Sequence, residues 1–282
     1  MAYLNFREAF LKGTLFIVAT PIGNLEDITL RALRVLKEVD IIAAEDTRHS
    51  KKLLNHYGIS KPLISYWGER ERIRSEIVLS HLRDGLSVAL ISDAGTPGIS
   101  DPGSVLIKKA IDEGIEVVPV PGASALITAL SVSGLRTDEF VFLGFLPQKA
   151  SERKKTLIEL SYEKRTIVFY ESPHRLMDTL YDMKEHFGSR MACIIKEITK
   201  LYEKAYRGVL LDIIAEIERD KVKGEYVVMV EGRGSEPRSL QEAIKEVRYL
   251  IKMGRGRKEA VNTIADTYGI EKETLYRLSL ER

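Results

Sequence analysis

Apolar positions along the chain follow two alternating periods. Residues 14–19 form a short β-branched run that breaks at Pro21 and Gly23. Leu30, Leu33, Leu36 and Val39 then recur at helical spacing, with Asp27 placed to cap the start. Residues 40–44 read as the next strand and lead into Glu45-Asp46-Thr47-Arg48. Ile73, Ile77 and Leu82 predict a helix that Gly85 ends, and residues 87–92 predict a buried strand. Asp101-Pro102 reads as cap and first turn of a helix carrying Leu106, Ile107, Ala110 and Ile111. A strand over 116–120 and a helix over 124–133 follow. Strands alternating with helices over residues 13–136 predict an α/β domain, its sheet mainly parallel and covered on both faces.

The same alternation resumes over 137–232 and predicts a second α/β domain. Its strands are expected at 140–145, 166–170, 192–195 and 226–230. One helix carries Leu176, Leu180, Met183 and Phe187, and another carries Leu210, Ile213, Ile214 and Ile217. Residues 147–155 are polar and basic and read as an exposed loop. From 233 to 282 only helical spacing remains: Leu240, Ile244, Val247 and Ile251 on one face, then Ala260, Ile264 and Ala265. Tyr268-Gly269-Ile270 and a helix opened by Thr274-Leu275-Tyr276 complete a helix-turn-helix pattern.

Composition narrows the class. The 282 residues are 44% hydrophobic and 30% charged, which excludes a largely disordered or fibrous chain. The single cysteine, Cys193, has no partner for an internal disulfide and points to a reducing cytoplasm. No apolar run reaches the roughly 18 residues of a membrane span. A net charge of +2 says little about partners, but its distribution says more. Residues 233–282 hold 11 Lys and Arg against 8 Asp and Glu, and the stretch 252–258 has four cations and no acid. Such a patch neutralises nucleic-acid phosphates or forms a solvated connection between helices.

Parallel sheets bind ligands beyond the carboxyl ends of their strands. That rule selects the loops 20–27, 45–49, 93–103 and 121–125, all rich in Gly, Pro, Ser, Thr or Asp. The stretch 92–103 holds three glycines, two prolines and two aspartates, more than a turn requires, and predicts a ligand loop. It is no phosphate loop: neither G-x-x-x-x-G-K-[ST] nor a G-x-G-x-x-G after a strand occurs, which disfavours nucleotide hydrolysis and nicotinamide chemistry. Ser124 opens a helix, to cap it or to touch a ligand. Glu45-Asp46-Thr47-Arg48 suits polar recognition or proton transfer, or is a self-paired surface cluster. Glu171-Ser172-Pro173-His174-Arg175 is its counterpart in the second domain. Apart from His49 beside Glu45 and Asp46, the five histidines lack ligand spacing, and no metal is expected.

Read in order, these loops resemble one family. Val18-Ala19-Thr20-Pro21-Ile22-Gly23-Asn24-Leu25-Glu26-Asp27, Ala44-Glu45-Asp46-Thr47-Arg48, the stretch 92–103 and Val120-Pro121-Gly122-Ala123-Ser124-Ala125 are similar to the tetrapyrrole methylase family, in particular its ribosomal branch. Phe142-Leu143-Gly144-Phe145-Leu146-Pro147, Tyr170-Glu171-Ser172-Pro173-His174-Arg175, Lys196-Glu197-Ile198-Thr199-Lys200 and Lys223-Gly224-Glu225-Tyr226 extend the match over residues 13–232. Gly95-Thr96-Pro97 departs from the Gly-Asp-Pro of corrin and sirohaem relatives and favours the ribosomal branch.

The resemblance implies two α/β domains with S-adenosylmethionine in the cleft between them, a small C-terminal helical region and a homodimer. It also implies 2′-O-methylation of a cytidine in 16S ribosomal RNA, with the RNA or small subunit as partner. The donor-binding positions map to Pro21, Gly95, Thr96, Pro97, Ile99, Ser100, Ser124, Ala125, Tyr170 and Glu197. A ribose hydroxyl must lose its proton as the methyl bond forms, so a general base is expected, from Asp46 or Glu171. Arg48 and Arg175 are expected to hold phosphates. Arg255, Arg257 and Lys258, with Lys149, Arg153, Lys154 and Lys155, are expected to grip the RNA backbone. The alternatives are a methylase of a corrin or porphyrin and a non-catalytic RNA-binding factor that keeps the fold.

Overall fold

The computed structural model describes residues 13–67, 71–234, 240–252, 254–268 and 270–280. Successive side chains of β1 (Thr14–Val18) point to opposite faces and both sets are apolar: Leu15 and Ile17 on one, Phe16 and Val18 on the other. Such a strand belongs in the interior of a sheet covered on both sides. β1 pairs in parallel with β4 (Val88–Ile91) and β5 (Glu116–Val120). With β2 (Ile41–Ala44) and β3 (Leu63–Ser65) they form an all-parallel sheet in the order β3-β2-β4-β1-β5. Phe16 and Val18 pack under α1 (Leu30–Glu38) and α2 (Thr47–His56) through Val35, Leu36 and Leu54. Leu15 and Ile17 pack under α3 (Glu71–Arg83) and α4 (Ser104–Asp112) through Val78, Leu79, Leu82, Leu106 and Ala110.

Several starts differ from expectation. Thr29, not Asp27, caps α1: its side chain accepts the Ala32 N–H at 3.1 Å. Asp101-Pro102 does not open α4, whose cap position is Gly103, without a side chain. The polar helix α2 and the three-residue β3 carry too few buried apolar positions to be legible by period.

The second sheet has the order β6-β7-β10-β8-β9. Its strands are β6 (Phe140–Phe145), β7 (Thr166–Glu171), β8 (Met191–Lys196), β9 (Lys204–Val209) and β10 (Tyr226–Val230). Only β6 and β7 run parallel; the other neighbours are antiparallel. One face carries α6 (Ala150–Leu160), α7 (Leu176–Phe187) and α8 (Leu210–Arg219). The other face receives α5 (Ala125–Ser133), the helix that follows the first sheet. Leu126, Ala129 and Leu130 of α5 pack on Val168, Cys193, Ile195, Val227 and Met229.

Residues 147–155 are not the expected exposed loop, since α6 starts within them. Arg153 is only 6% exposed, and its guanidinium pairs with Asp182 of α7 at 2.7 Å. It is therefore a structural cation rather than a surface grip, and Lys154 pairs with Asp182 and Glu185 beside it. Lys149 and Lys155 are exposed.

α9 (Leu240–Lys252), α10 (Arg257–Tyr268) and α11 (Lys272–Leu280) enclose a small core of Ala243, Val247, Leu250, Val261, Ile264 and Leu275. Ile158 of α6 joins that core and docks the helices on the second sheet's outer layer. Gly269, the glycine of the expected turn, lies outside the described residues. Among the described residues no helix is long and apolar enough to cross a membrane.

Removing one partner of a buried ion pair strands the other's charge and costs about 3–5 kcal/mol. Asp182→Ala is expected to lose stability of that order in urea unfolding, whereas Lys155→Ala changes it by less than about 0.5 kcal/mol.

Candidate functional site

β1 and β4 are neighbours, and the loops that leave their carboxyl ends are tied together. The Thr20 N–H donates to the Gly95 carbonyl at 2.9 Å, and the Gly95 N–H returns to the Thr20 carbonyl at 3.1 Å. The Thr20 hydroxyl donates to the Ser92 carbonyl at 3.1 Å. Further along, Gly103 has φ +145°, and a Cβ there would sit 3.1 Å from both the Gly98 nitrogen and Leu90 Cδ2. The position thus demands glycine and leaves α4 without a cap of its own. Glu71 of α3 supplies the missing acceptor: Oε1 takes the Gly103 N–H at 2.8 Å and the Val105 N–H at 3.3 Å. The buried Tyr66 hydroxyl donates to the same oxygen at 3.0 Å and fixes the carboxylate.

These loops form one wall of a cavity of about 590 Å³, and the second sheet forms the other. The first wall carries Gly95, Thr96, Ile99, Ser100, Asp101, Ser124 and Ala125; the second carries Phe145, Tyr170, Glu171, Ile198 and Val227. The walls meet where Ser100 approaches Gly144: a Cβ on Gly144 would lie 2.8 Å from Ser100 Oγ. Ser100 itself has φ +63°, a conformation that a non-glycine residue holds only under constraint.

Of the residues expected from the sequence, Gly95, Thr96, Ile99, Ser100, Ser124, Ala125, Tyr170 and Glu171 therefore come together. Ser124 also caps α5, accepting the Ile127 N–H at 3.5 Å. Pro21 is buried beside the cavity without lining it, and Pro97 borders a separate groove with Ile107 and Ile111. Glu197 stands one layer behind, where Oε1 accepts the Glu225 N–H and the Lys200 ammonium, each at 2.9 Å. Asp46 caps α2 and pairs with Arg48 at 3.2 Å, outside the cavity. Arg175 donates to the Leu146 and Pro147 carbonyls at 2.8 and 3.0 Å and clamps the turn after β6. Arg255 lies 4.0 Å from Glu159 and 3.7 Å from Glu259, and Arg257 donates to the Ser279 carbonyl at 2.9 Å. Lys258 is exposed.

The carboxylates of the site differ in their partners and surroundings. Glu171 is 2% exposed, and its oxygens accept the Thr179 hydroxyl at 2.7 Å and the Ser172 N–H at 2.9 Å, with Arg175 at 3.4 Å. Arg48 holds the Asp46 carboxyl below the usual range. Asp101 behaves oppositely. Burial pushes its carboxyl up to about 6, and the negative charges of Glu45 and Asp93 add to the effect against a hydrogen bond from Ser92. Glu45 is raised as well, by burial and then by Asp93 and Asp46. Reading Asp101 as a helix cap conceals it; the available signal is an acid inside the glycine-rich loop, facing the strand end that carries Glu45. Among the described residues no three His, Cys, Asp or Glu side chains are placed to hold a metal ion.

Residues 14–214 match the profile of the Tetrapyrrole (Corrin/Porphyrin) Methylases. The chain belongs to the tetrapyrrole methylase family. Within it, the chain is 46% identical over 280 residues to the Ribosomal RNA small subunit methyltransferase I of Halalkalibacterium halodurans, covering 97% of each chain. It is 45% identical over 273 residues to the protein of that name from Synechocystis, covering 95% of this chain and 98% of the other. A solved tetrapyrrole methylase, the cobalt precorrin-4 methyltransferase of cobalamin biosynthesis, shares the fold with a TM-score of 0.57 at 16% identity. The match takes in 95% of that enzyme but 78% of this chain.

The cap supplied by Glu71 can be tested apart from chemistry. Glu71→Ala is expected to lower stability by about 1–2 kcal/mol, the usual cost of a lost cap. Glu71→Gln, which keeps an acceptor oxygen, is expected to recover most of it in the same urea titration.

Proposed function

We propose that this tetrapyrrole methylase transfers a methyl group from S-adenosylmethionine to the ribose 2′-hydroxyl of a cytidine in 16S ribosomal RNA. Its substrate is the RNA or the small subunit, and it works as a cytoplasmic homodimer. Support for the RNA substrate comes from relatives named for ribosomal RNA that align over nearly the whole chain, helical tail included. The solved corrin methyltransferase leaves about a fifth of this chain unmatched.

The cavity fits such a donor. Gly95 has φ +81°, a backbone conformation that favours glycine, at a junction of three loops where it presents bare backbone to the cavity. The Thr96, Ser100 and Ser124 hydroxyls offer polar partners, and Ile22, Leu126, Ile127 and Val227 offer an apolar bed. Gly95, Thr96, Ile99, Ser100, Ser124, Ala125 and Tyr170 are the residues that would hold it. When bound, the donor supplies a methyl group already activated on a sulfonium. What the chain adds is alignment, worth up to ~7–11 kcal/mol, and a proton acceptor for the ribose hydroxyl.

Asp101 is the observation that carries this reading. It is a carboxyl lining the cavity whose proton affinity lies close to neutrality, where a general base works best. Asp46 is paired outside the cavity and weakened as a base, and the oxygens of Glu171 are already occupied. Asp101 Oδ receives the hydroxyl proton as the oxygen takes the methyl group. The raised carboxyl also sets a sign for stability. Between about pH 4 and pH 6 the folded chain binds more protons than the unfolded one, so Asp101 erodes stability as pH rises through that window.

Labelled methyl from S-adenosylmethionine is expected in small-subunit RNA, in a dinucleotide resistant to alkaline cleavage, and not in a uroporphyrinogen-type macrocycle. Label in the macrocycle alone, or in neither, would overturn the proposal. Asp101→Asn is expected to lower kcat by about 10²–10⁴-fold. The wild-type kcat/KM should rise with pH through about 6. Above pH 6 the Asn variant should melt no lower than wild type. Reversal of the exposed Lys155 and Lys258 to Glu should weaken RNA binding with donor affinity unchanged. Its salt dependence should flatten by about 0.7–0.9 in log–log slope for each phosphate released.

A further inference from the structure

We propose that Phe145 is the platform on which the base of the target nucleotide stacks, a role that rests on the RNA-methylation reading above. The argument starts from the register of β6 on β7. Phe140, Val141 and Phe142 pair in sequence with Thr166, Ile167 and Val168. Continued regularly, Gly144 would face Tyr170; instead Phe145 does, so β6 carries one extra residue. Because side chains alternate with a period of two, that bulge moves Phe145 from the face of Val141 and Leu143, which pack into the helix-covered core, to the face of Phe142 and Tyr170. Gly144 permits the turn with φ +64°.

The result is a phenyl ring left 55% exposed on the wall of the cavity. Tyr170 braces it edge to face, with centroids 5.7 Å apart and planes at 63°, and Phe142 braces Tyr170 in turn at 5.0 Å. An aromatic ring steered out of the core, braced by a second ring that a third supports, and left open toward a cavity has the form of a stacking surface. Its position says for what. Ser100 and Gly144 are one place where the walls touch, and Asp101 and Phe145 are their next residues in the chain. The proton acceptor and the ring thus flank one contact. A nucleotide joins ribose and base by a single bond, so a ribose hydroxyl held at Asp101 brings its base to Phe145. Proteins that read single-stranded RNA stack splayed-out bases on aromatic rings in this way.

The test compares Phe145→Leu, Phe145→Ala and Phe145→Trp in the full-length protein. It measures the Kd for a small-subunit RNA fragment at fixed salt, the kcat/KM for that RNA, and the Kd for S-adenosylmethionine. Loss of one base stack is expected to weaken RNA binding or kcat/KM by roughly ten-fold or more in the Leu and Ala variants. Trp should restore it, and donor affinity and melting temperature should stay at wild-type values in all three. A Leu variant with wild-type kcat/KM and Kd for RNA overturns the platform while leaving RNA methylation standing. A fall in donor affinity with unchanged RNA affinity also overturns it and assigns the ring to the donor. A wild-type protein that methylates a macrocycle and not RNA overturns both.

Discussion

The cleft exists because one helix packs on a sheet other than the one it follows. α5 leaves the last strand of the parallel sheet, yet Leu126, Ala129 and Leu130 bury themselves against Val168, Cys193, Ile195, Val227 and Met229 of the mixed sheet. Each fully buried Leu contributes about 1.5–3 kcal/mol, which makes this contact the adhesive between the sheets. Ser124 and Ala125 lie at the N-terminus of that helix and Ile198 and Val227 lie on the sheet it meets, so the same packing that joins the sheets sets the distance across the cavity.

Burial in the cleft changes the acids that line it. Asp101 and Glu45 share one rim with Asp93, and burial, together with the neighbouring negative charges, raises the carboxyls of Asp101 and Glu45. Asp46 and Glu171 are held by partners instead: Arg48 for the first, Thr179, Ser172 and Arg175 for the second. What separates Asp101 from these two is therefore its surroundings, a buried place on the cavity wall beside other acids, and not residue type or position in a motif.

That distinction also marks how far the sequence can be read. The strands with two apolar faces, the helices with repeated Leu and Ile, and three of the four expected rim loops are legible because period and turn chemistry act locally; the fourth, 45–49, runs into α2 at Thr47 and lies outside the cavity. Six of the eight first-sheet residues expected at the donor meet in the cavity; Pro21 and Pro97, which shape the loops, lie beside it. Arg153 escapes such a reading because a buried cation looks like a surface one until Asp182, 29 residues away, is brought beneath it. The cap of α4 escapes it because the acceptor, Glu71, comes from another helix. β9 escapes it as an edge strand whose alternation is diluted by Lys204, Arg207 and Gly208. In each of the first two cases the deciding partner is distant in sequence, and in the third it is the neighbouring strand β8.

The tail bears on the cleft through a chain of such partners. The β6 bulge turns Phe145 toward the cavity, and the next two carbonyls, of Leu146 and Pro147, are held by Arg175. α6 begins three residues after Pro147, is anchored by Arg153 on Asp182, and offers Ile158 to the core of the C-terminal helices. Cavity wall, clamp, helix and tail thus form one continuous stretch fixed by buried contacts. The exposed Lys155 of α6 and Lys258 of the tail then have a set position relative to the ring on the cavity wall. A long polymer gripped by its phosphates at these lysines and by a single base at the ring could use that fixed separation; a small macrocycle could not.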